Sequence, residues 1–257
     1  MELYESIPNT ENRPLCYAVI YTRGVISLEI DIFFDFRSDS KGKDPDNWSP
    51  TLKAYQRFLY SKRLPNGEVM ELDENLVWKD FQFSSDSILH GYTYWESYQH
   101  IISKVDRAII AEYEKNDYYI GGEIIFPSYR VSGVQTINQA RGCNHKIRDR
   151  IDLTLECIRR YYQGDSSPLY KCLCGYKPFF DLFVDFKGYV EFFHLQDLVT
   201  ENYSAVEFLC WFDGFHSNYP LPRTVEEYNE YINRVMKFSK SRNERIATWC
   251  RENSRLL

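Results

Sequence analysis

Hydrophobic and polar residues alternate in several short stretches of the chain, a pattern that predicts β-strands. In the stretch VISLEIDIFFDF the carboxylates Glu29, Asp31 and Asp35 stand between apolar residues. Because alternating carboxylates are typical of a solvated sheet face, we favour that interpretation over a magnesium site. Strands are therefore predicted over four segments: residues 15–36, 81–89, 118–127 and 205–212.

Helices are predicted where apolar residues recur every three or four positions. Ser49 before Pro50 is typical of a helix start, and Asn66 followed by Gly67 predicts a tight turn. Thr224 and Glu227 have the spacing of a capping box. The predicted helices cover five segments: residues 51–61, 93–115, a helix from about 145 to 162, 177–199 with a break at Gly188, and 225–250.

These elements predict an α+β protein that forms a single domain over residues 1–257, with a mixed sheet mostly in the N-terminal half and a helical C-terminal half. A length of 257 residues suits one large domain with a real core. The sequence has 21 Tyr, 17 Phe and 5 Trp. Such aromatic side chains either build the core or line a pocket that stacks planar ligands, and core packing is the favoured interpretation.

Composition narrows the classes of function. A net charge of −6 argues against general binding of duplex nucleic acid, which usually needs a basic excess. No apolar run approaches the length of a membrane-spanning helix, and the N-terminus lacks the layout of a signal peptide. The seven cysteines are scattered without zinc-finger spacing. We therefore expect a cytoplasmic protein with reduced thiols, no membrane association and no bound metal.

Charged residues of both signs gather between residues 136 and 162. On the helix predicted from about 145, with Asn144 as its N-cap candidate, one face is apolar and faces the core. The core residues predicted there are Ile147, Ile151, Leu155, Ile158 and Tyr162. Charged residues occupy the remaining faces, so this segment is the most informative part of the chain.

The same segment predicts a ligand site. A helix N-terminus attracts anions, and arginine forks add bidentate donors for phosphate or carboxylate. The candidate ligand-binding residues are Asn138, Arg141, Arg148 and Arg150, with Lys146 close by. Asp149 and Glu156 are candidates for orienting the arginines or for acid–base catalysis. This interpretation predicts binding or processing of a phosphorylated small molecule or nucleotide, with any cofactor unknown.

A second interpretation stays open. The same charges form i,i+3 and i,i+4 pairs that would merely tie the helix to its neighbours. The chain would then be a non-catalytic interaction or regulatory protein, for example one with a role in defence, whose protein partner is unknown.

Standard catalytic signatures are absent from the sequence. There is no G-x-S-x-G elbow, no H-E-x-x-H motif and no glycine-rich phosphate loop. The polar residues 84–87 are interpreted as a cap, and Asp44 and Asp46 as part of a solvated loop. These absences leave the segment around residues 138–160 as the leading candidate.

Long segments of the chain resemble a known family. The segments are INQARG…KIRDRIDLTLECIRRYY, FFDLFVDFKGYVEFFHLQDLV, PLPRTVEEYNEYI and, upstream, GKDPDNWSPTLKAYQRFLYSKRLPNG, FSSDSI and IGGEIIFP. They are similar to uncharacterised bacterial proteins catalogued only as a domain of unknown function. The resemblance implies a bacterial cytosolic protein of one domain and no known reaction. Typical members have His where this chain has Gln56 and Trp where it has Tyr60, so a catalytic role at position 56 is not expected here.

Overall fold

The computed structural model describes residues 30–253, about half of which lie in helices. The α-helices are α1 (Pro45–Trp48), α2 (Pro50–Tyr60), α3 (Gln99–Ile102), α4 (Arg107–Asn116), α5 (Ile137–Cys143), α6 (Ile151–Gln163), α7 (Tyr170–Gly175), α8 (Lys177–Asp181), α9 (Phe186–Phe192) and α10 (Val225–Asn253). The strands are β1 (Val77–Trp78), β2 (Phe81–Ser87) and β3 (Glu123–Pro127). Short 3-10 helices cover Phe36–Ser38, Glu96–Tyr98, Ile120–Gly122 and Gln196–Leu198.

The prediction of an α+β fold in a single domain with a helical C-terminal half is confirmed. The three strands form one sheet in the order β1-β2-β3, and both pairings are antiparallel. Among residues 30–253 the sheet is therefore antiparallel, where a mixed sheet was expected. Across the central pair, Ser87 lies opposite Glu123 and Phe83 opposite Pro127. This register places the polar end of β2 beside the start of β3.

The predicted start of α2 is confirmed. The Ser49 hydroxyl accepts a hydrogen bond from the Leu52 amide at 3.1 Å and donates one to Asp39 at 2.6 Å. Pro50 supplies the first helical residue, where a missing amide hydrogen has no cost. Leu52 and Leu59 are both 0% exposed, so the predicted apolar face is buried in the core.

Within residues 30–253, the strand predicted over residues 15–36 and the single helix predicted over residues 93–115 are not found as predicted. Residues 15–29 lie outside the described residues, and residues 30–36 are not a strand because Asp35 caps the 3-10 helix Phe36–Ser38. Residues 93–115 do not form one helix either. The Asp106 carboxylate accepts a hydrogen bond from the Ala108 amide at 2.8 Å and so starts α4 as a separate helix.

The charged helix begins later than predicted. Asn144 is not its N-cap, because its side chain accepts a hydrogen bond from the Lys146 amide within a turn at 2.9 Å. The helix starts at Ile151, after Arg150. Ile147, Ile151, Leu155 and Ile158 are nonetheless buried as predicted, whereas Tyr162 is only partly buried.

Two predicted elements of the C-terminal half are also corrected. Residues 177–199 contain α8 and α9, and the break falls where Asp185 caps α9, so Gly188 lies inside a helix. A Cβ at Gly188 would lie 2.2 Å from the Phe183 carbonyl oxygen, which explains the glycine. Residues 205–212 are not a strand, although Val206 forms an isolated bridge with Val199.

Helix α10 holds the start of β3 in place. Half of its predicted capping box is present, because the Glu227 amide donates to the Thr224 hydroxyl at 3.2 Å, whereas the Glu227 side chain accepts from the Arg223 amide. Arg242, 0% exposed, donates to the carbonyl oxygens of Gly121 and Glu123, each at 2.8 Å. Asn243 accepts a hydrogen bond from the Gly121 amide at 2.6 Å. These bonds position Glu123 at the end of the sheet.

Aromatic side chains form much of the core, in agreement with the favoured interpretation of the composition. Phe179, Phe183 and Phe193 are each at most 1% exposed and contact one another through their rings. Within residues 30–253, no helix combines the length and apolar character needed to cross a bilayer.

Candidate functional site

Six ionisable side chains from separate elements converge where β2 ends and β3 begins. We call them the acid–base cluster, which consists of Asp46, Asp86, His90, Glu123, Arg141 and Asp149. Asp46 comes from α1, Asp86 from β2, Glu123 from β3 and Arg141 from α5, while His90 and Asp149 lie in connecting segments. The pairing of Ser87 with Glu123 brings the two strands' carboxyls to the same end of the sheet.

Arg141 is the centre of the acid–base cluster. Its side chain is 0% exposed and forms ion pairs with Asp86 and, at 3.1 Å, with Asp149 Oδ1. Its guanidinium also donates to the carbonyl oxygens of Asp149 at 3.0 Å and Ser87 at 3.3 Å. Burial opposes the charge, but Asp149 and Asp86 raise the pKa of Arg141 above its ordinary value. Its donors are thus engaged within the protein.

Asp46 and Glu123 form a pair of neighbouring carboxyls. Glu123 is 0% exposed, and neither of its carboxyl oxygens accepts a hydrogen bond from an N–H or O–H group of the described residues. Burial raises the pKa of Glu123 well above its ordinary value, and the charge and hydrogen bond of Asp46 raise it further. Burial, reinforced by the charge of Asp44, also raises the pKa of Asp46, to about 6. Glu123 is therefore the protonated partner and donates to Asp46.

The exposed side of the cluster is formed by Asp86, His90 and Asp149, whose side chains are 21%, 28% and 23% exposed. Burial raises the pKa of Asp86 to about 7, with Arg141 working in the opposite direction. His90 Nε2 lies 3.2 Å from Asp149 Oδ2. Burial lowers the pKa of His90, although Asp149 opposes the shift. A carboxyl such as Asp86, which changes protonation near neutral pH beside a partly open edge, is suited to proton transfer.

Backbone strain is concentrated around this edge. Tyr92, Arg148 and Asp149 have φ angles of 57°, 52° and 63°, in the left-handed region. Asp tolerates this region through local hydrogen bonds, whereas Tyr and Arg rarely adopt it. The Tyr92 hydroxyl donates to the Arg148 carbonyl oxygen at 2.9 Å and so fixes the two strained positions relative to each other. Strain of this kind is commonly found at functional sites.

Arg150 and Glu156 lie outside the acid–base cluster. Arg150 is 1% exposed, forms an ion pair with Asp152 and donates to the Pro220 carbonyl oxygen at 2.6 Å. Glu156, 3% exposed, accepts from Arg159 and Arg160, each at 2.7 Å. The structure thus brings together Arg141 and Asp149, while it engages Arg150 and Glu156 in separate ion pairs.

Asn138 and Arg148, the other two predicted ligand contacts, are partly buried. Asn138 precedes Arg141 on α5 by three residues, close to one helical turn. The Asn138 Oδ1 and the Arg148 Nε are buried and have no hydrogen-bond partner within residues 30–253. The Arg148 guanidinium lies 5.9 Å from the centre of the Trp95 ring. Both side chains therefore keep polar atoms that a ligand could satisfy.

A second feature lies on the turn that follows α5. An open cleft of about 510 Å³ is lined by residues 144–146, 166–168 and 214–216 and by Arg160, and we call it the basic cleft. Lys146 Nζ donates to the Phe215 carbonyl oxygen at 2.9 Å, and the Arg160 guanidinium lies 4.9 Å from the centre of the Phe215 ring. The lining contains His145 and His216 and no carboxylate. In the described part of the chain, no ion pair involves Lys146.

Within residues 30–253, no group of three or more His, Cys, Asp or Glu side chains has an arrangement that would hold a metal ion. The carboxyls of the acid–base cluster are instead balanced by Arg141 and by shared protons.

Comparison with protein families identifies the family of this chain but no reaction that it catalyses. A family model described as a family of unknown function (DUF6994) matches residues 30–246. The chain belongs to this family. No curated protein and no solved structure gave a significant match. The predicted membership in a family of unknown function is therefore confirmed, and the description of the DUF6994 family names no reaction.

Sequence reasoning missed four members of the cluster in this DUF6994 chain. Asp46 was expected in a solvated loop, and Asp86 in a cap, but they contribute to a partly buried site. His90 had no motif around it. Glu123 did carry a usable signal, because a carboxylate inside the apolar run IGGEIIFP must be buried with a partner or a proton.

Proposed function

We propose that this protein binds and processes a phosphorylated small molecule or nucleotide, with the phosphate held in the basic cleft. The observation that supports this best is the convergence of Lys146, Arg160, His145 and His216 on a cleft whose lining has no carboxylate. The chain as a whole has a net charge of −6, so this local basic excess is unusual for its surface. Concave basic sites concentrate anionic ligands.

The chemistry of the cleft suits a phosphate. Lysine offers a mobile ammonium with three donors, and arginine offers a planar fork. Arg160 is 25% exposed and is oriented by Glu156 and by the Phe215 ring, so its position is defined before a ligand arrives. The volume of about 510 Å³ is within the usual range of ligand pockets.

The phosphate contacts in the basic cleft differ from those predicted from the sequence. Arg141 and Arg150 were predicted contacts, but their donors are already engaged by Asp86, Asp149 and Asp152. Displacing a buried aspartate from either arginine would leave an uncompensated charge. Lys146, which belongs to the same predicted segment, has no carboxylate partner among residues 30–253 and is the proposed phosphate contact instead.

The acid–base cluster lies next to the basic cleft along the chain. Lys146 and Asp149 are three residues apart, so their Cα atoms are at most about 11 Å from each other. Asp149 and His90, whose Oδ2 and Nε2 lie 3.2 Å apart, are then a proton-transfer pair close along the chain to a phosphate held by Lys146. Hydrolysis or group transfer on the ligand is the reaction class that this arrangement favours.

Ligand-induced thermal stabilisation tests this function. Purified protein is screened against inorganic phosphate, nucleotides, dinucleotides and sugar phosphates, and a bound compound raises the Tm. We expect Lys146→Gln and His216→Asn to keep the Tm of the free protein and to abolish the shift. Lys104→Gln, at an exposed position outside the cleft, is the matched control and should keep the shift. A shift that survives both cleft variants, or no shift with any compound, contradicts the proposal.

The alternative function is a non-catalytic interaction protein in which the charges are structural. The ion pairs of Arg141, Arg150 and Glu156 favour it, because all three side chains are at most 3% exposed. The two functions differ at the acid–base cluster, since Asp149→Asn abolishes turnover of a bound phosphate compound only if the cluster is catalytic. Unchanged turnover in a folded Asp149→Asn variant would favour the structural role.

A further inference from the structure

A second cleft, on the α9–α10 side of the molecule, contains an amine with an unusual environment. The cleft has a volume of about 530 Å³, and its lining includes Lys62, His194, Gln196, Arg245 and Trp249 together with the four carboxylates Glu191, Asp197, Glu244 and Glu252. None of these residues belongs to the acid–base cluster or the basic cleft. We call this feature the amine cleft.

The Lys62 amine is held by acceptors that carry no charge. Its Nζ donates to the Phe192 carbonyl oxygen at 2.8 Å and lies 3.1 Å from His194 Nε2. The same atom lies 4.6 Å and 4.8 Å from the ring centres of Phe192 and Trp249. In the part of the chain that the structure describes, no carboxylate forms an ion pair with Lys62. The nearby Glu191 accepts instead from the Tyr203 hydroxyl at 2.9 Å.

This environment favours the neutral amine. Burial lowers the pKa of Lys62 to about 7, and the charge of Arg242 adds to the effect, while Cys250 opposes it. Burial also lowers the pKa of His194, to about 2, with the charges of Lys62 and Arg242 adding to it. His194 is therefore neutral, and in the tautomer that carries the proton on Nδ1 its Nε2 accepts from the Lys62 amine. A desolvated lysine beside cationic groups is an activated nucleophile.

With the Nδ1–H tautomer of His194, the lone pair of the Lys62 amine is left free. A neutral amine has two N–H bonds, and the Phe192 carbonyl oxygen and His194 Nε2 accept one each. The remaining lone pair has no proton to share and can attack an electrophile. The cleft also offers the buried Gln196 Oε1, which has no hydrogen-bond partner among residues 30–253 and can accept from a ligand hydroxyl.

We propose that Lys62 is a nucleophilic amine that forms an imine with the carbonyl carbon of a small polar aldehyde or ketone bound in the amine cleft. The nitrogen lone pair forms the C–N bond while the carbonyl π electrons move to oxygen, which takes a proton from the nitrogen. The resulting carbinolamine loses this hydroxyl, with the second amine proton, as one molecule of water. The net reaction joins amine and carbonyl, releases water and needs no oxidant or reductant.

Site-selective trapping tests this proposal on the full chain. The protein is incubated with pyridoxal, the imine is reduced with sodium borohydride, and the modified lysines are mapped by peptide mass spectrometry. At about pH 7.5 an ordinary lysine is only about 0.1% neutral, whereas an amine with a pKa near 7 is mostly neutral. We expect modification of Lys62 to be at least about tenfold faster than that of the exposed Lys79 and Lys177, with a rate that rises around about pH 7.

Labelling of the wild-type protein alone can overturn the proposal. Modification spread evenly over surface lysines, or a rate at Lys62 that rises only around about pH 10, means that Lys62 is an ordinary structural lysine. Lys62→Arg should remove the selective label, and Lys177→Arg should keep it, provided that both variants melt near the wild-type Tm. Free glyceraldehyde should compete with pyridoxal at Lys62 and leave the labelling of Lys177 unchanged.

Discussion

Arg150 and Asp152 meet as two side chains that are both 0% exposed, with Nε to Oδ1 at 3.1 Å and Nη2 to Oδ2 at 2.5 Å. Asp152 also accepts a hydrogen bond from the Leu209 amide at 2.8 Å, and Arg150 donates to the Pro220 carbonyl oxygen at 2.6 Å. The pair therefore fixes the loop between residues 209 and 220 to the start of α6. The same loop supplies residues 214–216 to the basic cleft.

Breaking this pair should strongly destabilise the protein. Asp152→Asn leaves the buried Arg150 charge uncompensated, and we expect the free energy of unfolding to fall by roughly 3–5 kcal/mol. Urea denaturation measures the change. The double variant Arg150→Met/Asp152→Leu should recover part of the loss, because it removes both charges. A loss below about 1 kcal/mol for Asp152→Asn would mean that the pair is not buried in solution.

The carboxyls of the acid–base cluster should make stability depend on pH. Burial, reinforced by Asp44, raises the pKa of Asp46 from 3.8 to about 6, and burial raises that of Asp86 from 3.8 to about 7. A raised pKa means that the folded state binds more protons than the unfolded state over this interval. Their contribution to stability is therefore fully present below pH 3.8 and is lost as pH rises through 6 and 7.

The variant Asp46→Asn isolates this effect. The amide keeps an acceptor for the Ser87 amide and can donate to Glu123, but it does not ionise. We expect the variant to be more stable than the wild type at about pH 8, and the difference to shrink towards about pH 5. Urea denaturation at several pH values gives the comparison. Parallel curves for the two proteins across this range would show that Asp46 does not titrate as a buried group.

Two glycines should respond in opposite ways to a methyl group. A Cβ at Gly121 would lie 2.5 Å from the Ser239 carbonyl oxygen, whereas at Gly142 the nearest side-chain atom is 3.5 Å away. Gly121→Ala should therefore destabilise by about 1–3 kcal/mol, as overpacking does. Gly142 lies in α5, so Gly142→Ala should be neutral or stabilise by up to about 1 kcal/mol. Equal Tm values for the two variants would contradict the close contact of α10 with Gly121.

Lysine should not replace Arg242. The guanidinium donates to three carbonyl groups at once, those of Gly121, Glu123 and Phe193. An ammonium on a flexible stem cannot reproduce this planar geometry. We expect Arg242→Lys to destabilise by about 2 kcal/mol or more, since buried acceptors lose their donors. Thermal denaturation checks this, with Lys240→Arg, at an exposed position of α10, as the control.

Local signals in the sequence predicted many helix boundaries. Ser49 with Pro50 marks the start of α2, and Thr224 with Glu227 the start of α10, because capping acts through neighbouring residues. The same kind of signal at Asp106 starts α4, which hydrophobic periodicity alone merges into a longer helix. Asn144 was misassigned because its side chain caps a turn that precedes the helix.

The candidate site was only partly predictable. Arg141 and Asp149 lie in one segment, and the high density of charged residues in that segment makes both of them predictable. Asp86 pairs with Arg141 across 55 positions of the chain, and such a contact depends on the strand register. The carboxyl pair of Asp46 and Glu123 likewise joins α1 to β3. Neither local periodicity nor a motif predicts a contact between residues so far apart in the sequence.

The reach of α10 has a consequence for how the chain is made. Arg242 bonds to Gly121 across 121 positions, so the carbonyl groups at the start of β3 are synthesised long before the donors that cover them. Contacts of such separation form late and slow the folding of a domain. Until α10 leaves the ribosome, the end of the sheet and its buried acidic residues remain open to water and to other chains. Nascent chains that stop before Arg242 should therefore collect as aggregates or chaperone clients, and completion of α10 commits the described part of the chain to its native state.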